Sequence, residues 1–345
     1  MSDSDRVKTV GPGTATIMPA EPVVAGCFVT WTVTYTVGRY GVDDGGSLML
    51  AVRQMCDWGE PQVEDPAGPD FVRATTTADA TLRLAWNRKA FVRPWRQGVA
   101  VSVIDGHLAP GDTVTITLGD RGGGGPGLRA QTFAEPGFAM RLLVDPAGAG
   151  AYLPVEDVSV PIVAGPAASL TLIGPSTALI REPTWLVVRA MDAWGNVAST
   201  YDGEVTFQAG DGGTDGVTLP SPYTFGPADG GVHRFEGVVF PSDGIWRVEA
   251  ADTAAGLRAT ANPCLVASAA TEQMPLYWGD PHGQSGETVG SGDAAAYWDY
   301  LHHVAAVDFG AHCGNDFQIT DAFYDRLRAL VQAHHEPGRF VPFLA

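Results

Sequence analysis

The sequence predicts a multidomain, mainly β chain: two antiparallel β-sandwiches followed by a βαβαβ segment that opens a parallel sheet or barrel. Three observations carry this. Apolar and polar residues alternate through much of the chain up to Ala267, the pattern of strands with one buried face. Turn formers are abundant, with 43 Gly and 25 Pro among 345 residues, and they bound many short Val/Thr/Leu runs. Beyond Ala267-Ser-Ala-Ala270 the apolar period changes from two to about 3.6 residues, so helices enter only there.

Residues 1–14 are polar and are expected to form a disordered tail. The first sandwich is expected over 15–163. Its clearest strand is Phe28–Val37, where Val29, Trp31, Val33, Tyr35 and Val37 share one face and threonines take most of the other. Ala80–Trp86, Gly98–Ile104 and Asp112–Leu118 repeat the alternation between Gly, Pro or Asp turns. The glycine run Arg121–Gly127 lacks the Gly-Lys-Ser/Thr ending of a phosphate cradle and enters no helical pattern, so a loop is expected. Trp58, Trp86 and Trp95 are expected in or near the core rather than as a sugar platform.

A small-residue linker, Val163–Ala167, precedes the second sandwich at 167–267. Six short strands are expected at 168–172, 184–190, 203–208, 232–240, 244–250 and 258–266, a number that suits an immunoglobulin-like sandwich. Val188-Arg-Ala-Met-Asp-Ala-Trp-Gly-Asn196 with Tyr201–Phe207 resembles bacterial immunoglobulin-like and filamin-like repeats, in which an Asp-x-x-Gly-Asn turn joins two strands. Asp192, Asp202 and Asp211 are expected to bond their own backbone rather than calcium.

A domain boundary is expected at 267–274, and 274–345 read as βαβαβ. Apolar strands are expected at Leu276–Trp278, Val307–Ala311 and Phe340–Leu344. Between them lie two helical stripes, one through Ala294, Tyr297, Trp298 and Leu301 capped by Ser291 or Asp293, the other through Phe323, Tyr324, Leu327, Leu330 and Val331 opened by Thr320. Asp280, His282 and Glu287 follow the first strand, and His312 and Asp316 follow the second. Carboxylates and imidazoles converging on the carboxyl ends of parallel strands are the donor set of a divalent metal centre, with zinc or manganese the expected ion. The pairs His302-His303 and His334-His335 fall within the helices and are expected to be solvated or at the core edge.

The formal charge of −18 disfavours nucleic acid and anionic membrane as partners. Four cysteines without a Cys-x-x-Cys pair are expected as reduced thiols. The amino terminus lacks the basic start and apolar run of a signal peptide, and no stretch is long and apolar enough to span a bilayer, so a cytoplasmic location is expected.

Tyr277-Trp-Gly-Asp-Pro-His-Gly-Gln-Ser-Gly-Glu287, followed by Val307-Asp-Phe-Gly-Ala-His-Cys-Gly-Asn-Asp-Phe-Gln-Ile-Thr320, resembles the start of the polymerase-and-histidinol-phosphatase (PHP) domain, in its domain-of-unknown-function 3604 branch. The resemblance implies a distorted (β/α)7 barrel whose strand ends hold divalent metals that hydrolyse phosphoesters. His282 matches the first histidine of the family's His-x-His pair, while Gln284 stands in the second place. Cys313, Gly314 and Asn315 occupy the family's Thr-Asp-His, and His312 and Asp316 are the expected substitutes. A complete barrel takes about 250 residues, whereas about 70 follow Met274. The expectation is therefore the amino-terminal portion of a PHP-like hydrolase acting on a small-molecule or phosphoester substrate, its barrel incomplete and inactive over these 345 residues. The alternative is a non-catalytic binding or scaffold protein whose sandwiches recognise a glycan or a protein.

Overall fold

Along Trp31–Val37 every second residue is buried, Trp31, Val33, Tyr35 and Val37 facing inward and the threonines between them only partly covered. The computed structural model describes residues 11–91, 94–210, 216–268, 275–314 and 318–344, and divides the chain into two compact units, 1–163 and 164–345. In the first unit Trp31–Val37 lies in a four-stranded antiparallel sheet with Gly13–Met18, Thr113–Leu118 and Val72–Thr76. A six-stranded sheet runs in the order Val23–Val24, Leu153–Val163, Glu135–Asp145, Ser47–Arg53, Trp95–Gly106, Ala80–Asn87. The inward side chains of both sheets form one core that includes Trp31, Tyr35, Leu50, Ile116, Met140 and Leu142, the layering of a β-sandwich.

One expected strand is corrected and one unexpected strand appears. The continuous strand Phe28–Val37 is broken at Thr30, whose hydroxyl donates to the Gly119 carbonyl at 2.7 Å; Phe28–Val29 pairs instead with Leu128–Arg129. Ser47–Arg53, which the alternation did not mark, sits between two partners inside the six-stranded sheet, with its five central residues buried. A strand covered on both faces is apolar throughout and carries no period-two signal. Trp58 is in the core, its ring 5.7 Å from that of Phe138.

The second unit begins with a sandwich around Leu172, Val188, Val205, Val238 and Phe240. Ser169–Ile173, Pro183–Met191 and Val232–Val239 form one sheet. The expected strands 244–250 and 258–266 are each divided: Gly244–Trp246 pairs with Cys264–Ala267, whereas Val248–Asp252 pairs with Leu257–Thr260. Pro263 stands in the second break, where the missing N–H interrupts a ladder.

The last part of this unit is a parallel three-stranded sheet with Phe309–His312 between Gly279–Gly283 and Val341–Leu344. The first strand is displaced from expectation. Leu276, Tyr277 and Trp278 are outside it and exposed, and Asp280 and His282 lie within it rather than beyond its end. Helix α1 (Ala294–Asp299) is capped by Asp293, which accepts from the Ala296 N–H at 2.8 Å, and continues as a π-turn over Tyr300–Val304. Helix α2 (Asp321–His334) is capped by Thr320. Trp298, Leu301 and Phe340 form the small core, with Leu330 and Val331 packed against it. The expected boundary at 267–274 falls largely on 269–274, outside the described residues.

The turn after Pro183–Met191 is organised on the Asp192 side chain. Asp192 is buried; its Oδ1 accepts from the N–H groups of Trp194 and Asn196, both at 2.8 Å, and its Oδ2 from Gly165 N and Asn196 Nδ2, both at 2.9 Å. Burial acts to raise this carboxyl, but the four donors outweigh it and hold it below its ordinary value. Asp211 of the original aspartate trio is outside the described residues.

Gly195 has φ +88° and nothing within 4 Å of an added Cβ, so Gly195→Val costs only the left-handed backbone, about 1–2 kcal/mol by urea denaturation. Millimolar calcium should leave both melts unchanged, since the carboxylate is already saturated. The folded Asp192 carboxyl lies below its unfolded value, so its stabilisation is full above the ordinary carboxylate range and is lost as pH falls through the lowered value. The stability gap between the parent and Asp192→Asn should accordingly shrink from about pH 6 to about pH 3.

Candidate functional site

His312 ends the central parallel strand and is 2% exposed. Its imidazole meets the rings of Tyr297 and Phe323 edge-on, at 5.8 and 5.7 Å. Nε2 is hydrogen-bonded to the fully buried Ser285 hydroxyl at 2.8 Å. Nδ1 is buried without a hydrogen-bond partner. Burial pushes the imidazole below its ordinary value, partly opposed by the nearby Glu287 carboxylate, so the ring is neutral at pH 7 and has a lone pair on one nitrogen.

Glu287 lies on the loop between Gly279–Gly283 and α1. Its Oε1 accepts from Arg326 Nη1 of α2 at 2.7 Å, and its Oε2 is buried without a partner. Two orphaned polar atoms, an imidazole nitrogen and a carboxylate oxygen, thus belong to residues at or beyond the carboxyl ends of neighbouring strands, and the Glu287 charge acts on the His312 ring. Such atoms are rare in folded interiors because each costs about 1–3 kcal/mol.

The other expected site residues are used differently. Asp280 is half-buried and accepts from the His282 N–H at 3.0 Å. The Tyr297 phenol donates to the Ala311 carbonyl at 2.9 Å; burial, with the Asp280 charge second, raises it well above its ordinary value. The His282 side chain is exposed. Gln284, in the place of the family's second histidine, accepts from the Thr288 hydroxyl at 3.1 Å, and the Cys313 thiol donates to the Pro281 carbonyl at 3.4 Å. Asn315 and Asp316 lie outside the described residues. Among the described residues no three His, Cys, Asp or Glu side chains are gathered as a metal-holding group. The Glu287 charge acts on the His312 ring; Asp280 and His282 are not joined to them.

Ser285 and Arg326 hold these two groups in place, and sequence reasoning passed over both. Ser285 lies within the motif itself, but only burial distinguishes it from a turn serine. Gly283 also has a local role: a Cβ there would collide with the Tyr297 ring, so the glycine lets α1 approach the strand.

No protein-family model and no curated protein matches the chain. Among solved structures it is similar to a putative membrane-anchored protein from Corynebacterium diphtheriae, at 14% identity and a TM-score of 0.24, over 76% of this chain and 55% of that one. It is also similar to the C-terminal domain of the Streptococcus pyogenes antigen I/II-family protein AspA, at 9% identity and a TM-score of 0.33, over 75% of this chain and 100% of that one. A third is surface layer protein SbsC, domains 4–9, at 14% identity and a TM-score of 0.21, over 74% and 31%. The chain therefore spans about half the length of the first and under a third of the last. None of these superpositions reaches a TM-score from which a shared fold follows. No described helix is long and apolar enough to cross a membrane.

Replacing Ser285 with alanine leaves both imidazole nitrogens of His312 unpaired in a dry site. The expected loss is about 1–3 kcal/mol in urea denaturation, and Ser285→Thr, which keeps the hydroxyl, should lose less.

Proposed function

We propose that residues 275–344 open a PHP-like metal-dependent hydrolase of the phosphoester type, to which His312 and Glu287 contribute two metal ligands. The observation that supports this reading is the pair of buried, unpartnered atoms, His312 Nδ1 and Glu287 Oε2, near the carboxyl edge of a parallel βαβαβ sheet. Ligands arrive at that edge in open and closed parallel sheets alike. A neutral imidazole and a carboxylate are suitable donors for zinc or manganese. A bound divalent ion supplies Lewis-acid activation of water and of a phosphoryl oxygen.

The chain's own residues orient those donors. Ser285 fixes one imidazole nitrogen and so directs the other, the outer-sphere role that metal-binding histidines require. Arg326 holds one Glu287 oxygen and turns the other inward. Tyr297 and Phe323 flank the imidazole and limit water around it. A hydrolytic centre needs at least three protein ligands, so further donors are required beyond this pair.

Metal content by mass spectrometry and calorimetric titration with zinc and manganese tests the reading. Saturable binding is expected, weakened more than about tenfold by His312→Ala or Glu287→Ala and about 10–100-fold by Ser285→Ala. Protein that stays metal-free under saturating zinc and manganese would sink the hydrolase reading and favour a non-catalytic scaffold.

A further inference from the structure

The amino-terminal edge of the same parallel sheet faces the second sandwich across a cleft of about 510 Å³, a volume typical of small-molecule sites, which span about 300–1,000 Å³. Ser176, Trp185 and Asn262 of the sandwich form one wall, and Tyr277, Trp278 and Asp308 the other. The cleft is built rather than incidental: Trp278 Nε1 donates to Ser176 Oγ at 2.7 Å, and Trp278 N donates to Asp308 Oδ2 at 2.7 Å. Asn262 is fully engaged with the Gly174 backbone in both directions and shapes the wall.

A smaller hollow of about 140 Å³ adjoins the cleft and shares Trp185 and Asp308 with it, adding His302, Arg234 and Arg339. His302 is 7% exposed. Its Nε2 lies 3.2 Å from Glu336 Oε2 yet makes no hydrogen bond, and the buried Arg339 Nε is also without one. Burial, with His303 beside it, pushes His302 down to about 4, so it is neutral at pH 7. Burial also raises the Asp308 carboxyl.

The mixture of groups selects the ligand class. An anion would meet Asp308, and a cation would meet Arg234 and Arg339. A hydroxyl both donates and accepts, so it can satisfy Asp308 Oδ1, the guanidinium of Arg339 and the neutral His302 together. Aromatic side chains suit the C–H faces of a sugar ring, and three of them line the cleft. We infer that this cleft binds a neutral saccharide, its ring against Trp278 and its hydroxyls on Asp308, Arg339 and His302. The site is on the opposite sheet edge from His312 and does not depend on the metal reading.

A glycan array of neutral gluco-, xylo-, manno- and galacto-oligosaccharides, with calorimetry on the best binder, tests this. Saturable binding is expected that Asp308→Asn weakens about 10–100-fold, the loss of one hydrogen bond to a charged group. Trp278→Ala, which removes a largely exposed ring and leaves the core intact, should weaken it as well. His312→Ala and chelator should change nothing. The inference is overturned if no oligosaccharide on the array binds, or if binding survives both Asp308→Asn and Trp278→Ala in folded protein.

Discussion

A strand can bury alternate side chains against one layer, or all of them between two layers, and this constraint organises the molecule. The two sandwiches satisfy it mostly in the first way. Trp31–Val37 and Thr113–Leu118 present one apolar face each, and their polar faces are left partly open. Ser47–Arg53 satisfies it in the second way, as the inner strand on which the six-stranded sheet is centred. Phe309–His312 also lies between two partners, and its burial carries a polar group, His312, into the dry interior.

Buried polar groups divide into those that are satisfied locally and those that are not. Asp192 is saturated by donors from its own turn and from Gly165, and a carboxylate in that position has no capacity left for a cation. Tyr201 and Asp252 satisfy each other at 2.7 Å inside the second sandwich. Buried atoms without a hydrogen-bond partner occur in both sandwiches, at Trp31 Nε1, Trp58 Nε1 and Arg189 Nε for example, and in the βαβαβ segment they belong to titratable groups, His312, Glu287, His302 and Arg339. Since an orphaned atom costs more than a made hydrogen bond gains, its persistence is physically reasonable where a ligand completes it. Both proposed sites rest on such atoms, one at each edge of the sheet.

The two edges are chemically distinct because parallel strands are polar objects. Side chains that follow each strand collect at one edge and those that precede it collect at the other. His312 belongs to the first group; Trp278 and Asp308, which immediately precede Gly279–Gly283 and Phe309–His312, belong to the second. The carboxyl edge gathers an imidazole and a carboxylate, and the amino-terminal edge gathers aromatic rings with mixed hydrogen-bonding groups.

The period-two alternation by itself determined the mainly β, multi-sheet character, the inward face of Trp31–Val37 and most of the second sandwich. The change to helical spacing determined the βαβαβ order, and Asp293 and Thr320 were legible as caps because a capping side chain acts on its own first turn. The Asp192 turn was legible for the same reason, apart from the Gly165 N–H that its Oδ2 also accepts. Only the tertiary structure decided what depends on partners distant in sequence. It moved the first parallel strand to Gly279–Gly283, since pairing with Phe309–His312 rather than apolar content defines the strand. It brought Ser285 to His312 and Arg326 to Glu287 across 27 and 39 residues. Burial is a property of the assembled layers, and so the sequence could nominate His312 as a ligand but could not show which of its neighbours would be left with unpaired atoms beside it.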